Sequence, residues 1–175
     1  MALVCIDTMV AIWAVKKTAG AGQEHMIPLC TQLLADLDKD KKKILLPAPV
    51  ITELLAPVDD DAARLAMLRD CNLLFRTGAL DPIAATLSAR VWNENKTRWK
   101  GFYSEHDPNF RNRFKYDLMI LGIAMANKVE CFYTGDKALF GLAKQYIDTK
   151  NVFDLTTAPR GTQYSLLMPS TPASR

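Results

Sequence analysis

Residues 3–13, LVCIDTMVAIW, pose the question on which the fold turns. Leu3 to Ile6 form an unbroken apolar run that stops at Asp7, and apolar residues resume after Thr8. A short continuous apolar run is what a strand covered on both faces requires. A carboxylate at its end is either a helix cap or part of a site built at the strand terminus.

Similar runs recur along the chain. ILLPAPV (44–50), CFYT (131–134) and VFDL (152–155) read as further strands, with LLF (73–75) a weaker fifth. Helical patterns separate them. Ile27, Cys30, Leu34 and Leu37 repeat at three and four residues, the stripe of an amphipathic helix. In LDPIAATLSARVW, Asp81 is placed as an N-cap and Pro82 at the first helical position, with Ile83, Leu87 and Val91 as the apolar face. DLMILGIAMA (117–126) reads as an apolar helix opened by Asp117, and KALFGLAKQYI (137–147) as an amphipathic one. Strands alternating with helices predict an α/β fold with a central, mainly parallel sheet.

Length and composition agree with one such domain. The chain has 175 residues, 49% of them hydrophobic and 23% charged, and a net charge of +3 that permits a nucleic-acid partner without requiring one. The four cysteines lack the close spacing of a zinc or redox site, and only two histidines, His25 and His106, could assist them. Reduced cysteines, no signal-peptide pattern and no apolar run near the ~20 residues of a membrane span lead to the expectation of a soluble, cytoplasmic protein. A single folded domain is expected over 1–156, followed by a Thr/Pro/Ser-rich, flexible tail over 157–175.

Four carboxylates carry the chemistry. Asp7 follows the first strand, Glu53 lies in VITELLAPV after the second, Asp117 opens an apolar helix, and Asp136 stands in YTGDKALF between a strand and a helix. Singly, Asp7, Asp117 and Asp136 read as N-caps, and Glu53 as a first-turn acid of a helix capped by Thr52. Jointly they read otherwise. Right-handed βαβ connections bring all four to the carboxyl edge of the sheet, where open α/β folds bind ligands. Acids crowded there repel one another unless a cation neutralises them, and an all-oxygen donor set suits Mg²⁺ or Mn²⁺.

An N-terminal apolar strand ending in DT, a TE in an apolar helix, an Asp opening another apolar helix and a T-x-D after the next strand together resemble the PIN domain. Within that family the chain is most similar to the VapC-like ribonuclease toxins of type II toxin–antitoxin pairs. The resemblance spans residues 2 to about 155. It implies a three-layer α/β/α fold with strand order 3-2-1-4-5. It also implies a metal-dependent endoribonuclease whose catalytic and metal-binding acids are Asp7, Glu53, Asp117 and Asp136. Thr8 and Thr134 would support them. Metal-activated water would attack the phosphodiester, leaving 5′-phosphate and 3′-hydroxyl ends. A small antitoxin and a homodimer are implied as well. The chain departs from the pattern at Met9, where many members carry Asn or Ser. A PIN-like module that binds RNA or protein without cutting is the alternative. An aspartyl phosphatase is not, because its second Asp would have to stand where Met9 does.

The substrate surface is sought in residues 95–117, NKTRWKGFYSEHDPNFRNRFKYD. Basic residues alternate with aromatic ones there, as suits an RNA whose phosphates meet cations and whose bases stack. The same stretch also reads as a solvated helix end and connector. Arg111, Arg113 and Lys115, nearest to Asp117, are the expected RNA contacts.

Overall fold

A computed structural model describes residues 2–98, 102–103 and 109–155. The expected tail, with the boundary at 156, lies outside the described residues, as do Trp99 and Lys100 of the basic stretch.

Five parallel strands form one sheet in the order β3-β2-β1-β4-β5. They are β1 (Leu3–Ile6), β2 (Lys43–Pro47), β3 (Arg76–Gly78), β4 (Cys131–Thr134) and β5 (Thr149–Asn151). The helices are α1 (Thr8–Ala11), α2 (Met26–Lys39), α3 (Ala48–Leu55), α4 (Asp61–Leu74), α5 (Pro82–Asn95), α6 (Phe110–Ala126) and α7 (Lys137–Ala143). A π-helical turn, Ile12–Lys16, continues α1. The sheet order and the α/β class are those expected from the PIN-domain resemblance.

The central strands are buried because helices cover both faces. Val4, Cys5, Ile6, Leu45, Leu46 and Phe132 have essentially no exposure, and both α2 and α6 pack against β2. All four cysteines are buried free thiols within this core. In register, Val4 pairs with Ile44 on one side and Cys131 on the other, and Ile6 pairs with Tyr133. Asp7 therefore leaves the sheet beside Thr134.

Several boundaries differ from the sequence reading. The 44–50 run is a strand only to Pro47, since Ala48 begins α3 and Pro49 occupies its first turn, where a proline's fixed φ and missing N–H are harmless. Thr52 consequently sits inside α3 with its hydroxyl donating to the Ala48 carbonyl at 3.1 Å, so it caps nothing. The LLF run belongs to the end of α4 and its exit, and the strand is the polar Arg76–Gly78 that follows. VFDL is a 3₁₀ turn (Val152–Asp154), and β5 precedes it. Both misplaced strands are three-residue edges, too short and too solvated to show an apolar pattern. In α5, Asp81 does cap, accepting from the Ala84 N–H at 2.7 Å, but the buried positions are Ala84, Val91 and Asn95, while Ile83 is exposed.

The closest helix packing is between α5 and α6. Gly122 of α6 lies directly over α5, where the Ser88 hydroxyl approaches the Ala84 and Leu118 carbonyls at 2.9 Å each. A Cβ at Gly122 would stand 2.1 Å from Ser88 Oγ and 2.6 Å from the Ala84 carbonyl oxygen. Helix propensity alone favours alanine over glycine by about 1 kcal/mol. Overpacking against backbone typically costs about 1–3 kcal/mol. Gly122→Ala is therefore expected to lower the urea midpoint without changing the slope, and a raised midpoint would show that α5 and α6 separate freely.

Candidate functional site

Asp7 is built into the junction of β1 and α1. Its backbone N–H donates to the Tyr133 carbonyl at 3.1 Å, closing the β1–β4 ladder, and its Oδ1 caps α1 through the Val10 N–H at 2.9 Å. Its Oδ2 accepts the hydroxyl of Thr134 and the Gly135 N–H, the latter at 3.2 Å. Thr134 in turn accepts the Asp136 N–H at 2.9 Å. Asp136 caps α7 with Oδ1, which takes the Ala138 and Leu139 N–H groups at 2.7 and 3.0 Å. The T-G-D sequence thus ties two of the four acids together through one hydroxyl.

Asp117 is not the helix opener expected of it. The helix begins at Phe110, with Asn109 as its cap residue, and Asp117 lies two turns in. At 1.5 Å per residue, the 17 residues of α6 extend roughly 25 Å, against about 13 Å for a four-residue strand. Its first two turns therefore overshoot the sheet and carry Asp117 to the level of the strand ends. Tyr103, itself buried against Phe114, donates its hydroxyl to Asp117 Oδ2 at 2.5 Å. Glu53, in the second turn of α3, is exposed and has no hydrogen-bond partner among the described residues.

A cleft of about 360 Å³ at the carboxyl edge brings Asp7, Glu53, Asp117 and Asp136 together, with Thr8 and Met9 beside them. Asn112, Arg113, Tyr116 and Ile120 complete the α6 wall, following the helical period through Asp117. Arg111 and Lys115 lie about 200° around the helix from Arg113 and do not line the cleft. Arg111 instead stands 5.8 Å over the Phe110 ring. Arg113 pairs with Asp136 Oδ2 at 2.9 Å; with its side chain 53% exposed, the pair is screened by solvent. Asn112 drew no attention in the sequence, although it stands at i, i+4 and i+8 with Tyr116 and Ile120 on the cleft wall, and Tyr103 was read only as one of the aromatics of residues 95–117.

The acids crowd one another. Burial pushes the Asp7 carboxyl up to about 6, partly offset by donation from Thr134 and Val10 and reinforced by Asp136. Burial likewise pushes Asp117 up to about 8, offset by Tyr103 and reinforced by Asp136 and Asp7. A divalent cation would reverse this, and the donor set fits a hard one: among the described residues carboxylates and hydroxyls line the cleft, without histidine or cysteine. The Thr8 hydroxyl is buried and has no hydrogen-bond partner among the described residues, leaving an oxygen available there. Among the described residues no three acids, histidines or cysteines are close enough to grip an ion unaided. Such an ion would rest on one or two carboxylates, with water reaching the others, as Mg²⁺ prefers.

No family model and no curated protein matches the chain. Solved structures do. VapBC2 from Rickettsia felis, bound to a DNA fragment from their promoter, is 14% identical, with a TM-score of 0.57 over 85% of this chain and 98% of that one. FitAcB from Neisseria gonorrhoeae is 17% identical, with a TM-score of 0.58 over 87% and 99%. DNA-bound VapBC from Salmonella typhimurium is 15% identical, with a TM-score of 0.60 over 87% and 99%. At such identities the likeness is one of fold. Among the described residues no helix is long and apolar enough to cross a membrane.

The raised carboxyls fix a pH dependence. An unfolded Asp ionises near 3.8, whereas folded Asp7 and Asp117 hold their protons to about 6 and about 8. The metal-free fold binds the extra protons between those values, so its stability is full below about pH 4 for these groups and falls as pH rises towards 8. Asp117→Asn keeps an acceptor for Tyr103 and removes the buried charge. In EDTA at pH 8.5 it is expected to gain at least about 1 kcal/mol, or roughly 2–4 °C in Tm. The gain should shrink towards pH 5, and a variant less stable at both pH values would contradict the assignment.

Proposed function

We propose that this chain is a metal-dependent endoribonuclease, the toxin of a toxin–antitoxin pair acting in the cytoplasm. The observation that carries the reading is the convergence of Asp7, Glu53, Asp117 and Asp136, from four distant parts of the chain, on one cleft at the carboxyl edge. The fold shared with VapBC structures supports it. In this reading Mg²⁺ or Mn²⁺, when bound, lowers the pKa of a coordinated water and stabilises charge on the phosphodiester under attack.

The chain's own residues do the rest. Asp7 and Asp117 supply rigid oxygens to the ion. Asp7 is locked by the Thr134 hydroxyl and the Gly135 N–H, and Asp117 is oriented by Tyr103. Asp136, paired with Arg113, would reach the ion through water, and Arg113 would meet a substrate phosphate. Glu53, exposed and unconstrained, is the acid best able to move a proton to or from water. Thr8 adds a hydroxyl beside Asp7. A small antitoxin would silence the enzyme by covering the cleft, and the active species would be a homodimer.

The test is cleavage of a total-RNA pool by purified protein in Mg²⁺, Mn²⁺ or EDTA, with sequencing of the cut ends. Discrete, metal-dependent cuts bearing 5′-phosphates are expected. Asp7→Asn and Asp117→Asn should lose at least about 100-fold in rate. Thr134→Val, which keeps the shape and deletes the orienting hydroxyl, should lose about 10–100-fold, the range for a residue that positions a metal ligand. A folded wild-type protein that binds RNA but never cuts it would replace this reading with the non-catalytic binding module.

A further inference from the structure

Past the Arg113–Asp136 pair the acidic cleft opens into a second groove of about 730 Å³. Met9, Arg113 and Asp136 line both, so the two are continuous. Their characters are opposite. Among the described residues Asp136 is the one acid lining the second groove, whereas Arg113, Lys137 and Lys144 place three cations along it.

The cations are arranged, not scattered. Lys137, Gly141 and Lys144 follow at i, i+4 and i+7 on one face of α7, with Phe140 between them. Both lysines are exposed, and neither forms an ion pair with a carboxylate among the described residues. Lys144 Nζ lies 5.4 Å from the centre of the Phe140 ring. Gly141 lets the Phe102 ring lie against the helix, since a Cβ there would stand 2.9 Å from Phe102 Cδ1. The groove therefore combines two ammonium groups that have no carboxylate partner among the described residues with aromatic surface, and it leads directly to the acids.

We infer that this groove carries the strand that enters the acidic cleft, as an unpaired nucleic-acid segment with backbone phosphates on Lys137 and Lys144. This rests on the nuclease reading for its direction towards the acids, and on the groove alone for binding. Phosphates suit the lysines. Ring surfaces of Phe102 and Phe140 suit bases, whose faces are accessible only in an unpaired strand. A duplex would keep its bases stacked on one another and leave the aromatic wall unused. Arg113, at the junction, would meet the phosphate next to the one that reaches the acids.

The experiment is fluorescence anisotropy of labelled 20-nucleotide RNA, DNA of the same sequence and the matching RNA duplex. It is run in the Asp117→Asn background with Mg²⁺ so that cleavage does not intrude. The K137A/K144A pair is compared with K39A/K41A, which removes equal charge at the opposite edge of the sheet. Two lost phosphate contacts on a single strand should flatten the slope of log K against log salt by about 1.4. K137A/K144A should show that loss and weaker binding, K39A/K41A neither, and the duplex should bind more weakly than the single strands. RNA held more tightly than DNA would identify a groove that reads the ribose, and equal binding one that reads the backbone alone; either supports the inference. An unchanged slope in K137A/K144A, or an equal loss in K39A/K41A, would overturn it. Cleavage by the wild-type protein is a separate readout, so a groove that binds as described in a protein that never cuts would refute the nuclease reading and leave this one standing.

Discussion

One buried hydroxyl organises the site. Thr134 donates to Asp7 and accepts from the backbone of Asp136, and these three residues end or follow the two central strands. Asp7 is only 2% exposed, and an acid so placed is costly unless each oxygen is engaged. Val10 serves one oxygen, and Thr134 with Gly135 serves the other. Gly135 is pressed into this role by Trp13, whose ring would stand 2.7 Å from a Cβ at that position. The β1–β4 register, the α1 cap and the α7 cap therefore depend on the same few atoms, and the position of the cleft follows from them.

The remaining charge is not settled so well. Among the described residues Asp117 has a single donor in Tyr103, and its carboxyl is pushed up to about 8 by burial and by its acidic neighbours. Once ionised, such acids destabilise the fold until something neutralises them, the part that the proposed cation would play. Arg113 performs part of that service through Asp136, but from a largely exposed side chain. A weak internal counter-ion is the useful kind under the proposed function, because it limits repulsion among the acids and would still yield to a ligand.

Legibility in the sequence followed the physics of each element. Asp7 and Asp136 could be read because a strand ending in Asp before a helix is a local pattern, and both turned out to be caps. Asp117 was found for a mistaken reason. The apolar run after it looked like the whole helix, whereas α6 starts at Phe110 with turns whose exposed residues mask the period. The strand order came from resemblance, since no local signal orders parallel strands. The edge strands were missed because Arg76–Gly78 and Thr149–Asn151 bury too little to carry a pattern. Among the cations, proximity in sequence to Asp117 was a poor guide. Helical phase admits Arg113 to the cleft and turns Arg111 and Lys115 away, and Lys137 and Lys144 reach the adjoining groove from another helix.

That separation has a reason. A lysine held among Asp7, Asp117 and Asp136 would form buried pairs, lower their proton affinity and compete with any divalent ion for the same oxygens. On the strand path inferred above, cations that attract a polyanion would have to stand apart from the acids, yet close enough to deliver the strand to them. The α7 lysines meet both conditions, facing a groove that touches the acidic cleft only at Met9, Arg113 and Asp136. Met9 gains a meaning from this position. It lines the cleft, the α7 groove and the hollow beside Trp13, so an uncharged thioether stands where the three meet. A polar side chain there would offer another hydrogen bond near the acids. A methionine instead supplies apolar surface at the junction, and under the proposed function it would leave attraction to the lysines and chemistry to the carboxylates.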